Sequence, residues 1–105
     1  MGKYHKDELP GEDLVTKGLS DLEHGIESIE SLLVSIGAPR LRRLNIPVPT
    51  TNDKIFPEER LYRFLENIDA DTAYGQYNAY IRRLISFEQA LENLSQRQRE
   101  KTRDS

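Results

Sequence analysis

Residues 13–37, DLVTKGLSDLEHGIESIESLLVSIG, decide how this chain folds. Within them Val15, Leu19, Leu22, Ile26, Ile29, Leu33 and Ile36 recur at alternating steps of four and three. A helix of about 3.6 residues per turn returns such positions to one side, so the spacing predicts one amphipathic helix over 13–37 whose seam lies against another helix. Asp13 is placed to cap it, and Gly37, with Pro39 two residues on, supplies the stop. Leu14 and Leu32 fall outside the seam and widen the apolar stripe. Gly18 and Gly25 lie seven apart beside it, and each costs about 1 kcal/mol relative to alanine in a helix interior. A cost repeated at one heptad position points to close approach of a neighbouring backbone, or equally to two tolerated weak positions near a kink.

Outward from this stretch the punctuation continues. Residues 1–12 are a polar leader, read as disordered and ending in Pro10 and Gly11. Residues 38–56 read as a crossover loop: one helical turn fits over Arg40–Leu44, and Pro47 and Pro49 favour an extended path after it. Pro57, followed by Glu58 and Glu59, has proline at the first helical position and carboxylates at the positive end of the dipole, which starts a short helix over 57–68. The apolar phase then slips at Asp69–Asp71. A new seam of Ala73, Tyr77, Tyr80, Leu84, Phe87, Leu91 and Leu94 predicts a long helix over 71–97, with Ile81 and Ile85 beside the seam; a single bent helix over 57–97 is the alternative. No apolar residue follows Leu94, so 98–105 is expected to fray.

These elements make the fold class all-α, in one domain over 1–105. The expected layout is an antiparallel hairpin of two long helices, about 36 to 39 Å each, with the short helix connecting them. A lone hairpin leaves the outer side of each seam wet, so a second copy is expected to close it into a four-helix-type bundle. The self-association seam is then Val15, Leu19, Leu22, Ile26, Ile29, Leu33 and Ile36 with Tyr77, Tyr80, Leu84, Phe87 and Leu91.

Composition bounds the function. The chain has 105 residues, 36% hydrophobic and 31% charged, and no cysteine. Disulfides and thiolate metal sites are excluded, and the absence of a long apolar run argues for a cytoplasmic protein without a membrane partner. Residues 1–39 hold eight acidic and three basic residues, and 40–105 hold ten and twelve. That polarity fits helices of opposite sign packed in one molecule better than a nucleic-acid surface. His24, with Asp21, Glu23 and Glu27 nearby, falls on the outer side of its helix, His5 lies in the leader, and no base is placed to activate a hydroxyl. The six glycines are scattered and form no phosphate cradle. No catalytic, metal or cofactor site is therefore expected, and no cofactor.

Two other groups stand out. Tyr62, Tyr74, Tyr77 and Tyr80 are unusual in an aliphatic seam because a buried phenol needs a partner for its hydroxyl. Tyr62 and Tyr74, with the loop around 46–56, form a candidate surface for another protein; a bundle end where the hydroxyls reach water is the plainer alternative. Arg40, Arg42 and Arg43, with Arg97 and Arg99 near the C-terminus, are the residues a nucleic-acid-binding regulator would use; arginines at a helix end also offset its dipole. The function expected is a non-catalytic helical interaction or assembly module, homodimeric, with the nucleic-acid regulator as the alternative.

Overall fold

The single helix expected over 13–37 is two. The computed structural model describes residues 9–50 and 56–104, and for 98–104 the backbone alone. Among the described residues there are four helices and no strand: α1 (Glu12–Glu23), α2 (Ile29–Arg43), α3 (Pro57–Ile68) and α4 (Ala73–Asp104). The molecule measures 53 × 30 × 24 Å. At 1.5 Å per residue α4 is about 48 Å long and accounts for the longest dimension.

The break after α1 has a defined cause. Gly25 adopts φ 71°, its N–H donates to the Leu22 carbonyl at 3.2 Å, and the Ile26 N–H donates to the Asp21 carbonyl at 2.8 Å. This is a complete Schellman closure, with a left-handed residue just past the helix end. Only three residues later Ser28 opens α2 with a capping box: the Ser31 N–H donates to Ser28 Oγ at 3.0 Å and the Ser28 N–H donates to Ser31 Oγ at 2.8 Å. Ser28 Oγ donates onward to Asp21 Oδ2 at 2.6 Å, and Lys17 Nζ donates to the same oxygen at 2.8 Å. The end of α1 and the start of α2 are thereby tied together. Lys17, and then Ser28, hold the Asp21 carboxyl below its ordinary 3.8. The stabilisation from Asp21 is therefore present above that value and lost as the pH falls through the lowered one.

Nor does α2 stop at Gly37. It continues through Pro39 to Arg43 and ends on Asn45, whose φ is also 71°. The Asn45 N–H donates to the Arg42 carbonyl at 3.0 Å and the Ile46 N–H to the Leu41 carbonyl at 2.9 Å, so the same closure is made with asparagine. Proline inside a helix costs about 3 kcal/mol. What opposes that cost is burial on more than one side, since Ser31, Leu32, Leu33, Val34, Gly37, Ala38 and Leu41 of α2 are all buried. Adjacent Leu32, Leu33 and Val34 span too wide an arc for one neighbour. α1, α3 and α4 all pack on α2.

Gly18 lies where α1 crosses α2. A side chain there would collide with the Glu30 carbonyl and the Val34 side chain, so the expected close approach is real, within one molecule. Gly25 does not share that role: a Cβ would meet nothing within 4 Å, and its glycine serves the positive φ. α3 occupies the span expected for it, with Pro57 at its start and fully buried Leu61 and Leu65 facing the core. Arg60 of α3 reaches Glu27 in the α1–α2 turn at 2.9 Å. Asp69–Thr72 separates α3 from α4, the Asp71 N–H donating to Asp69 Oδ1 at 3.1 Å, so 57–97 is not one bent helix. α4 runs on to Asp104, where fraying was expected. The start of α1 is Gly11 and Glu12, with the Leu9 N–H donating to Glu12 Oε1 at 2.8 Å, in place of an Asp13 cap. Of the leader expected to be disordered over 1–12, residues 9–12 are ordered, with Leu9 packed on the core and Glu12 already helical; residues 1–8 and crossover residues 51–55 lie outside the described residues.

Consequently the seam is folded back on itself. Val15, Leu22, Leu33, Leu84 and Phe87 are buried, and Leu19, Ile29, Ile36, Tyr77, Tyr80 and Leu91 are half-buried against the same core. Ile26, in the turn, is 51% exposed. Positions expected to meet a second molecule are, Ile26 aside, packed inside one. Among the described residues no helix is long and apolar enough to cross a membrane.

Gly18 and Gly25 should respond differently to substitution. Gly18→Val is expected to cost about 2 to 3 kcal/mol in urea melts through overpacking at the helix crossing. Gly25→Val should cost about 1 to 2 kcal/mol through its left-handed backbone, and Gly25→Asn distinctly less, as Asn45 shows the same position accepts asparagine. Equal losses for valine and asparagine at position 25 would contradict the turn.

Candidate interaction surface on α2 and α4

Helix α4 carries two lines of residues. The inner one is the seam, with Ala73, Leu84 and Phe87 buried. The second, at steps of four, three, four, three and four, is Tyr74, Asn78, Ile81, Ile85, Glu88 and Glu92. At 100° per residue these six fall within about 80° of arc, roughly a quarter-turn from the seam. Tyr74 is 70% exposed and Ile85 41% exposed, while Asn78 and Ile81 are half-buried. Toward Glu88 this line meets α2, and together they form an open groove of about 320 Å³ whose walls are Ile36 and Pro39 on one side and Ile81, Leu84 and Ile85 on the other.

The closed end of the groove is built on a glycine. A Cβ on Gly37 would lie 2.9 Å from Glu88 Oε2 and 3.0 Å from the Leu84 methyls, so its absence lets the Glu88 carboxylate settle against the α2 backbone. Glu88 is 4% exposed. Burial pushes its carboxyl up, with Arg40 and then Arg43 acting against that shift. Arg40 Nη1 donates to Glu88 Oε1 at 3.5 Å, and Nη2 donates to Glu92 Oε1 at 2.7 Å. Arg40 thus clamps α2 to two successive turns of α4. Arg43, one turn on, is exposed and has no ion pair among the described residues.

The remaining residues singled out in the sequence are scattered. Arg42 donates from Nε and Nη2 to the Val48 carbonyl at 3.3 and 3.2 Å and from Nη2 to the Pro49 carbonyl at 3.2 Å, which holds the crossover segment onto α2. Arg97 is exposed on α4, and Arg99 lies beyond the last described side chain. Tyr62 is half-buried edge-on to Tyr77, with ring centroids 5.9 Å apart at 74°. Burial, and next the Glu58 charge, push the Tyr77 hydroxyl up. Arg83 lies over the Tyr80 ring at 5.7 Å. Of the two tyrosines expected to face a partner, Tyr74 is on the surface and Tyr62 belongs largely to the α3–α4 contact. His24 is exposed at the end of α1, its Nδ1 2.7 Å from the Ser20 carbonyl. Among the described residues no three of His, Asp and Glu converge in a way that could hold a metal ion.

Glu88 was not a candidate from sequence, because it lies one step off the seam and reads as a solvated charge. The second line of α4 was visible only as Ile81 and Ile85 beside the seam; extending their spacing back to Asn78 and Tyr74 finds the rest.

The raised Glu88 carboxyl has a pH signature. The folded state holds its proton more tightly than the unfolded chain, so its contribution to stability is fullest below its ordinary 4.5 and declines as the pH rises through the interval up to the raised value. Wild-type stability minus that of Glu88→Gln, from urea melts between about pH 4 and about pH 7, should therefore fall with rising pH. A difference that grows over this interval would make the Arg40 pair, not burial, the dominant influence.

No protein-family model matches the sequence, and no curated protein and no solved structure is significantly similar to it.

Proposed function

We propose that this chain is a non-catalytic helical interaction module that pairs with a second copy of itself. The observation that carries this reading is the outer line of α4. Tyr74 and Ile85 stand exposed in register with Ile81, and the line runs onto Ile36 and Pro39 of α2 beside a core the chain already closes by itself. An exposed aromatic and an exposed isoleucine on one helix line, joined by the half-buried Ile81 at the rim of the core, have the composition of a protein contact. Isologous two-fold pairing is the commonest way for one such strip to be covered.

Arg40 and Arg42, two residues the nucleic-acid reading would need, are engaged within the molecule by Glu88, Glu92 and the crossover carbonyls. Nothing in the arrangement favours that reading over self-association.

Light scattering coupled to size-exclusion chromatography, from about 1 to about 100 μM protein and at about 0.1 and 0.5 M salt, tests the proposal. A mass near twice 12.2 kDa that persists at the higher salt is expected. A mass of 12.2 kDa throughout would contradict it.

A further inference from the structure

Along the outer line of α4 the chemistry changes in order. At one end is the α3–α4 turn, where Asp69 and Asp71 are exposed and have no ion pair among the described residues. The apolar middle follows, from Tyr74 through Ile81 to Ile85. At the other end, beside Glu88, is Arg43, also without an ion pair among the described residues. Acid, outer line and base therefore follow one another from the start of α4 to its contact with α2.

Resting on the self-association proposed above, we infer that two copies pair antiparallel along this line, Tyr74 of each against Ile85 of the other and the acidic turn of each against the other's Arg43. Parallel pairing would set aspartates on aspartates and Arg43 on Arg43. Antiparallel pairing matches apolar to apolar and sets Asp71 against Arg43 at both ends of the same contact, since Glu88 and Glu92 at that end are engaged by Arg40. With Tyr74 opposite Ile85, Asn78 falls opposite Ile81 and Asp71 opposite the level of Glu88. Glu88 itself is buried and held by Arg40, so the charge that Asp71 meets there is Arg43. Asn78 then lies within one turn of the two-fold axis, where a polar residue in an apolar line fixes register at some cost in affinity. Gly75 and Ala79 flank it on the solvent side. A Cβ on Gly75 would meet nothing within 4 Å, so there is open space there for the second helix to approach.

Analytical ultracentrifugation of the full chain and its Arg43→Glu, Asp71→Arg, doubly reversed and Tyr74→Ala variants tests this pairing, with circular dichroism melts as the control for folding. Each single charge reversal places like charges at both ends of the contact and is expected to weaken the dimer about tenfold or more. Arg43→Glu with Asp71→Arg should return the dissociation constant to within about threefold of wild type, since the pair is restored with its signs exchanged. Tyr74→Ala, at a residue 70% exposed, should weaken dimerisation with the melting temperature of the monomer unchanged. A double variant as weak as the sum of its parts, or a dimer indifferent to each of the three single substitutions, would overturn this geometry and leave self-association standing. A wild-type chain that is monomeric at every concentration would overturn both.

Discussion

With φ at 71° in Gly25, the carbonyls of Asp21 and Leu22 are taken by the amides of Ile26 and Gly25, and the chain leaves α1 on a course no continuous helix can follow. Everything downstream depends on that reversal. It brings Glu30 and Val34 of α2 against Gly18, where only a residue without a side chain lets the two backbones come so near. It also turns one long apolar seam into two facing halves, so the seam's first need, a second helix to lie against, is met by its own continuation. The turn is held polar-side by a chain of four residues, Lys17, Asp21, Ser28 and Ser31, in which the one fully buried hydroxyl, that of Ser31, is satisfied through the capping box. A buried polar group left unpaired would cost about 1 to 3 kcal/mol, which makes the completeness of this chain matter to the fold.

Because the reversal puts α2 in the middle, α2 has to be apolar around most of its circumference. Leu32, Leu33, Leu41, Leu61 and Leu65, fully buried, come from α2 and from α3 packed on it. Burying one leucine contributes about 1.5 to 3 kcal/mol. Ending the helix at Pro39 would expose Leu41 and forgo the closure on Asn45, so the two together offset a proline penalty of similar size. The same centrality gives Gly37 its place. It faces α4, and Glu88 fills the space a side chain would occupy. The contacts of α1, α4 and α3 with α2 are thus made with Gly18, Gly37 and leucines. The outer line of α4 is what remains after they are satisfied, which is why it and not the seam is the surface proposed to meet a second copy.

Much of this was legible in the residues. Pro57 with Glu58 and Glu59 placed the start of α3 to the residue, since proline at the first helical position and acid in the first turn act locally. The α4 seam was equally plain, because a long amphipathic helix leaves its period in every turn. The α1–α2 turn was hidden by coincidence of period. The four-three step runs through Ile26 across the reversal although Ile26 itself is exposed, Leu22 and Ile29 facing one core from the two arms, and a period count cannot tell a straight seam from a folded one. The local chemistry was better evidence: a glycine at 25 followed by Ser28 and Ser31 is a stop and a start in close succession. Pro39 misled in the other direction, as its local cost was overridden by tertiary burial that only the assembled helices supply. Glu88 could not be found from its neighbours in sequence, since what buries it is Gly37, fifty-one residues away.

The reversal at Gly25 can be measured directly. Nitroxide labels at the exposed positions Asp13 and Arg42, diluted with unlabelled protein so that only distances within one molecule are read, report the separation of the two ends of the α1–α2 stretch by pulsed electron resonance. With α1 folded onto α2, helices packed about 8 to 10 Å apart put the labels within about 25 Å. A continuous helix would hold them about 43 Å apart at 1.5 Å per residue. A distribution centred at the longer distance would contradict the fold on which the rest of this account stands.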